Sequence, residues 1–314
     1  MSNRNEFQPR RRELLRAAAA GATLALPGLL RAAPQPPAGV LTRAIPSTGE
    51  KLPVIGLGTD KFNTAEEDAI AAEIQRLPQL GGTLIDTAAA YGDAESIIGR
   101  VLAHPGLRDR FFLATKFINS GRSYAGTDLA GKASFERSLA RLQTSRIDLL
   151  QVHNLDGVDE LMPQLQEWKQ AGKIRYIGIT TSQVRQHEPM LGFMQKYPLD
   201  FVQVDYSLAN RDAAQKLLPL AQDRHIAVIA NVPFGFGNTL RNALARPLPP
   251  WAADIGAHSW AQLLLKYVVS HPAVTVTIPG STKVAHLQDN QGAALGPVPD
   301  EATRRRMEQY WDAG

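Results

Sequence analysis

The sequence has 314 residues, 44% hydrophobic and 20% charged, with no cysteine, which excludes disordered and collagen-like chains and also disulfide frameworks, thiol catalysis, thiolate zinc sites and lipid-modified cysteines. Its net charge of +4 would suit a nucleic-acid or anionic-membrane partner if it were spread along the chain. It is not: within the first 33 residues Arg4, Arg10, Arg11, Arg12, Arg16 and Arg31 face only Glu6 and Glu13, and the remainder carries 28 bases and 28 acids. Neither a basic groove nor aromatic-basic interleaving is present, so no nucleic-acid partner is expected.

In chain order, the first element is a polar stretch ending in Arg10-Arg11-Arg12-Glu13-Leu14-Leu15-Arg16. A mildly apolar run follows over 17–30, then Arg31-Ala32-Ala33-Pro34. The apolar run is too short to cross a hydrocarbon core and is interrupted by Pro27, so no membrane span is expected in the mature protein. The segment resembles a twin-arginine export signal, which implies the twin-arginine machinery as a partner and a periplasmic location; without a working signal the location would be cytoplasmic. Cargo of that route crosses folded, often with a cofactor already installed. The expected organisation is a signal over 1–33, a spacer over 34–40 and one folded domain over 41–314.

Within that domain, short apolar runs predict strands at 54–57, 83–86, 111–116, 147–153, 176–180, 201–204, 226–231 and 274–278. Apolar residues at three- and four-residue spacing predict helices at 66–75, 134–143, 158–170, 213–223 and 260–270. Eight strand–helix units predict an α/β fold of the (β/α)8 TIM-barrel type. A doubly wound dinucleotide fold is disfavoured, because Gly56-Leu57-Gly58-Thr59 is only a fragment of the glycine fingerprint.

In a barrel, function sits at the C-terminal strand ends. There the sequence places Asp86, Lys116 and His153, with Tyr91 in the loop after Asp86. A phenol keeps its proton at neutral pH and donates it more readily beside an ammonium that stabilises phenolate. Lys116 supplies that charge, Asp86 pairs with it, and His153 orients a carbonyl oxygen. Such a pocket protonates a carbonyl while a soluble organic cofactor delivers hydride; no metal cluster is evident. Lys116 as a Schiff-base nucleophile is an alternative chemistry.

The motifs around these groups resemble the aldo-keto reductase family. They run from Gly56-Leu57-Gly58-Thr59 through Asp86-Thr87-Ala88-Ala89-Ala90-Tyr91-Gly92 with Glu95 and Gly99, then Ala114-Thr115-Lys116 and Arg146–His153. Gly172-Lys173-Ile174-Arg175-Tyr176-Ile177-Gly178, Gln203-Val204-Asp205-Tyr206-Ser207 and Ile278-Pro279-Gly280-Ser281 with Asn290 complete the series. The resemblance implies reduction of an aldehyde or ketone by NADPH, NADH being the variant, or the reverse oxidation, with Tyr91 as proton donor and no metal. It implies cofactor contacts at Gly58, Thr59, Thr180, Thr181, Gln203, Asn231, Phe234, Gly235, Gly237, Gly280, Ser281, Lys283, His286 and Asn290. Gln203 is assigned to the nicotinamide carboxamide and Lys283 to a 2′-phosphate. By loop position, Phe62, Phe117, Asn154 and the loop 119–132 are expected to shape the substrate pocket.

The chain departs from the family pattern in three places. Thr180-Thr181 stands where serine and asparagine commonly grip the carboxamide, Asn231 where an aromatic ring stacks on the nicotinamide, and Gly280 and His286 where NADPH-specific members carry lysine and arginine. A degenerate barrel that binds nucleotide or ligand as a sensor is therefore the non-enzymatic alternative.

Overall fold

The computed structural model describes residues 38–118 and 131–313. The proposed signal, most of the spacer and most of the loop 119–132 lie outside the described residues. The strands are β1 (Thr42–Ala44), β2 (Lys51–Pro53), β3 (Leu57–Gly58), β4 (Leu84–Asp86), β5 (Phe112–Phe117), β6 (Ile147–Val152), β7 (Ile174–Thr180), β8 (Phe201–Asp205), β9 (Ala227–Asn231) and β10 (Val274–Thr277). The α-helices are α1 (Glu67–Arg76), α2 (Ala94–Leu102), α3 (Gly131–Arg141), α4 (Val158–Gln170), α5 (His187–Lys196), α6 (Ala213–Asp223), α7 (Asn238–Leu244), α8 (Trp260–Ser270), α9 (Val284–Gly292) and α10 (Glu301–Asp312).

Strands β3 to β10 form one parallel sheet in chain order. It closes on itself: the amides of Gly56 and Gly58 donate to the carbonyls of Thr277 (2.8 Å) and Pro279 (3.0 Å). A Cβ on Gly58 would stand 2.8 Å from the Ile278 carbonyl oxygen, so the seam needs a residue without one. The result is the (β/α)8 barrel. Strands buried on both faces read as near-continuous apolar runs, which is why their positions were visible in the sequence. Helix ends follow local chemistry too: Ser259 accepts from the Gln262 amide ahead of α8, and Asp300 from the Thr303 amide ahead of α10.

The antiparallel hairpin β1–β2 has no counterpart in the sequence reading, because two three-residue strands leave no periodicity to detect. Its Ile45 and Leu52 are buried with Leu84, Phe112, Leu149, Tyr176, Phe201 and Val276 inside the barrel. With Thr48 and Glu50 bonded to the Tyr176 hydroxyl, the hairpin closes the end of the barrel opposite the strand C-termini.

The motif residues Glu95 and Gly99 fasten the wall. Buried Glu95 accepts from the Thr115 hydroxyl at 2.6 Å and pairs with Arg141 at 2.7 Å, tying α2 to β5 and α3. A Cβ on Gly99 would lie 2.0 Å from the Arg141 carbonyl oxygen and 2.9 Å from two Leu142 backbone atoms. Backbone cannot give way cheaply, so Gly99→Ala is expected to destabilise the protein by about 3 kcal/mol despite alanine's better helix propensity. Thermal unfolding followed by circular dichroism checks it: the midpoint should fall by roughly 5 °C or more, and an unchanged midpoint would remove the close-contact argument.

Candidate active site

Side chains alternate along a strand, and that period builds the site. Leu84, Ala114, Leu149, Phe201 and Ile229 fill the lumen; two residues further along each strand stand Asp86, Lys116, Gln151, Gln203 and Asn231, all buried. The apolar lumen thus ends in a polar layer at the C-terminal rim. Lys116, with its side chain fully shielded from solvent, forms an ion pair with Asp86. It also donates to the Thr87 carbonyl at 2.9 Å and to the Tyr91 hydroxyl at 3.4 Å. The second Asp86 oxygen accepts from the amides of Gln203 (2.8 Å) and Gln151 (3.3 Å). Every charge in the layer is matched, which a buried ion pair requires. His153, immediately after β6, meets the Tyr91 ring edge-on, with centroids 5.8 Å apart.

Burial alone would lower the Lys116 pKa, but Asp86 and the Tyr91 oxygen together override it and raise it, so this side chain is an ammonium. The Tyr91 phenol was expected to be acidified. Burial instead dominates and raises its pKa, with Lys116 opposing and Asp86 adding to the rise. It therefore holds its proton firmly, with an ammonium in place to stabilise the phenolate left after donation. Burial, reinforced by Lys116, lowers the His153 pKa to about 3, so it is a neutral imidazole at any working pH. Its edge can donate or accept a hydrogen bond without a charge change.

A cavity of about 950 Å³ opens on this layer. Asp86, Tyr91 and His153 face it, as do Gly58, Thr59, Asn154, Thr180, Gln203, Asn231, Phe234, Gly237, Gly280, Ser281 and His286. Lys116 lies behind Tyr91 and off the wall. Thr181, Gly235, Lys283 and Asn290 do not line the cavity either. Gly235 supports the turn: its φ is +58° and a Cβ there would stand 2.2 Å from the Thr239 hydroxyl. Lys283 is exposed just ahead of α9. Phe62 and Phe117 are corrected as substrate contacts, since both are buried in the helix–sheet core. Phe117 follows inward-facing Lys116, so strand alternation turns it outward, onto Trp168 at 5.8 Å.

The sequence reading missed Asp60, Ser182, Gln183, Phe236 and Thr282 on the wall, and Gln151 beneath it. Gln151 was findable, standing two residues before His153 on the same strand face. It also missed Glu73 on α1, fully buried against the Ser281 hydroxyl, with no hydrogen bond of ordinary geometry to either carboxylate oxygen. Burial raises its pKa to about 7, the Ser281 hydroxyl opposing. The folded state therefore holds this proton more tightly than the unfolded chain. The stability it contributes is full below the unfolded value and is lost as pH rises from about 4.5 to about 7. Glu73→Gln should match the parent near pH 5 and exceed it near pH 8 by about 3 kcal/mol. Denaturant titrations at the two pH values test this, and equal gains at both would contradict it.

Among the described residues there is no cluster of His, Cys, Asp or Glu suited to a metal, and no helix long and apolar enough to cross a membrane. The arrangement can protonate an oxygen atom held between Tyr91 and His153.

Comparison with known proteins points the same way. The model of the aldo/keto reductase family matches residues 54–308. Aldo-keto reductase YhdN of Bacillus subtilis (strain 168) is 34% identical over 59% of this chain and 60% of its own length. Methylglyoxal reductase YeaE of Escherichia coli (strain K12) is 31% identical over 76% of this chain and 84% of its own. An aldo-keto reductase from Klebsiella pneumoniae, solved in complex with NADPH, superposes with a TM-score of 0.68 at 28% identity, covering 84% of this chain and 92% of that one.

Proposed function

The chain belongs to the aldo/keto reductase family, and on that premise we propose an NADP-dependent carbonyl reductase in which Tyr91 is the proton donor. The observation that carries this reading is the meeting of Tyr91, Lys116, Asp86 and His153 at one cavity. The cavity wall fits a dinucleotide: bare backbone at Gly237, where a Cβ would point into open space, admits close approach by a phosphate-bearing chain. The Ser281 hydroxyl and His286 add polar groups at one side, and the Gln203 and Asn231 amides add them at the other. When bound, the dinucleotide supplies the hydride. This chain's residues do the rest. His153 orients the carbonyl oxygen, Tyr91 gives that oxygen its proton, and Lys116, held by Asp86, stabilises the phenolate until it is reprotonated. Lys116 is not a Schiff-base nucleophile in this reading, because its ammonium is bonded to Asp86, Thr87 and Tyr91. The test is consumption of NADPH with a panel of aldehydes and ketones beginning with methylglyoxal, the compound in the name of the E. coli relative. Nucleotide binding with no turnover on any member would replace the enzyme with a sensor.

The proposed location is the periplasm, reached through the signal resembling a twin-arginine leader. Free NADPH is not expected there, so the nucleotide is loaded before export and recycled between two substrates. Support comes from the arginine pair with its following leucines and from a domain without cysteine, which folds alike in reducing and oxidising compartments. Protein recovered from the periplasm should carry bound nucleotide; recovery without any would overturn the loading step.

A further inference from the structure

His153 leaves β6 through a strained turn. Asn154 and Leu155, the next two residues, have φ of +54° and +59° and form the one consecutive pair of left-handed non-glycine residues among the described residues. Asparagine tolerates that region but leucine does not, so such a turn persists only where its surroundings hold it. Leu155 packs against the helix–sheet core, and the Asp156 amide returns to the His153 carbonyl at 3.1 Å. A further hold comes from outside the turn: the Gln186 side-chain amide donates to the Asn154 carbonyl at 2.8 Å.

Gln186 is placed for this by groups on two more strands. Its Oε1 atom accepts from the hydroxyl of Thr181, just past β7, at 2.5 Å. Thr181 is fully buried, so that hydroxyl serves Gln186 and not the cavity. The orientation of the Gln186 amide follows, because only its N–H end can serve a carbonyl. The next residue, His187, begins α5 and bonds the Asp205 carboxylate at the end of β8 at 2.9 Å. Three successive strand ends thus meet at one half-buried side chain. Gln186 itself does not line the cavity, whereas His153 and Asn154 both do.

We infer that Gln186 is a positioning residue for carbonyl reduction: its bond to the Asn154 carbonyl keeps the turn in the shape that sets the His153 imidazole edge-on to Tyr91. The inference rests on the reductase reading above. It is tested on the full chain with Gln186→Glu and Gln186→Leu, using NADPH and the best carbonyl substrate of the panel above at about pH 5 and pH 8. A protonated glutamic acid keeps both bonds, its O–H donating to Asn154 and its other oxygen accepting from Thr181. The carboxylate has no donor, and leucine has neither group. At pH 8 both variants should show kcat about tenfold below the parent, as one hydrogen bond implies, with NADPH affinity within about twofold. Lowering the pH to about 5 should bring kcat of Gln186→Glu back toward the parent, because a half-buried carboxyl facing a carbonyl oxygen holds its proton above the ordinary glutamate range. Gln186→Leu should stay about tenfold low. His187 and Asp205, the titratable groups beside position 186, are common to all three proteins, and the leucine variant shows their effect alone. An unchanged kcat in Gln186→Glu at pH 8, or a loss there that is equal at pH 5, overturns the inference. A parent that binds NADPH but reduces no carbonyl overturns the reductase reading, and this inference with it.

Discussion

Tyr91→Phe is expected to lower kcat/KM for carbonyl reduction by about a thousandfold, the usual range for losing a positioned general acid. Nucleotide affinity should change by less than about twofold. The phenyl ring keeps its edge contact with His153 and its place on the cavity wall, so only the hydroxyl and its 3.4 Å contact with Lys116 are removed. Steady-state kinetics with a binding titration on the same preparation separate the two effects. Full activity in the variant would mean that another group delivers the proton. His153, with its pKa lowered to about 3 by burial and Lys116, cannot be the acid that titrates near neutrality. His153→Gln should therefore lower the rate between about pH 5 and 8 without changing the shape of the pH profile there.

Lys116→Met should be costly in two ways. Carbonyl reduction should fall at least as far as in Tyr91→Phe, because the phenolate loses its stabilising charge. Stability should fall by about 3–5 kcal/mol, the range for removing one partner of a buried ion pair, because Asp86 loses its ion-pair partner in a layer where its side chain is 2% exposed. The double variant Asp86→Asn/Lys116→Met removes the unpartnered carboxyl group and should recover part of that loss without recovering activity. Denaturant unfolding of the parent, both single variants and the double variant gives the coupling between the two positions. If the losses simply add, Asp86 and Lys116 are not acting as a pair.

The barrel was legible because its signals are local. Helices read from the sequence at 158–170, 213–223 and 260–270 coincide with α4, α6 and α8, and the eight barrel strands fall within a few residues of their expected places. Amphipathic spacing and apolar runs survive in any linear window long enough to show them. The hairpin β1–β2 is too short for such a window. Phe62 and Phe117 were misjudged by loop proximity, although strand alternation assigns Phe117 to the outer face once Lys116 is known to point inward.

The site divides along the same line. Strand ends and motif spacing suffice to select Asp86, Tyr91, Lys116 and His153, because a barrel brings successive strand ends to one rim whatever the details of packing. Which way each polar group faces is another matter, since it depends on neighbours distant in the chain. Gln186 turns the Thr181 hydroxyl away from the cavity, Gln151 and Asp86 draw off both Gln203 donors, and Ser281 lies against a buried Glu73 from α1. Burial, and with it the direction of the Tyr91 and His153 pKa shifts, likewise exists only after folding. From residue order alone come the fold, the four polar groups that meet at the rim and the confinement of the +4 charge to the first 33 residues. Tertiary contact decides which way the polar groups of the wall face, and that sets what the cavity can hold.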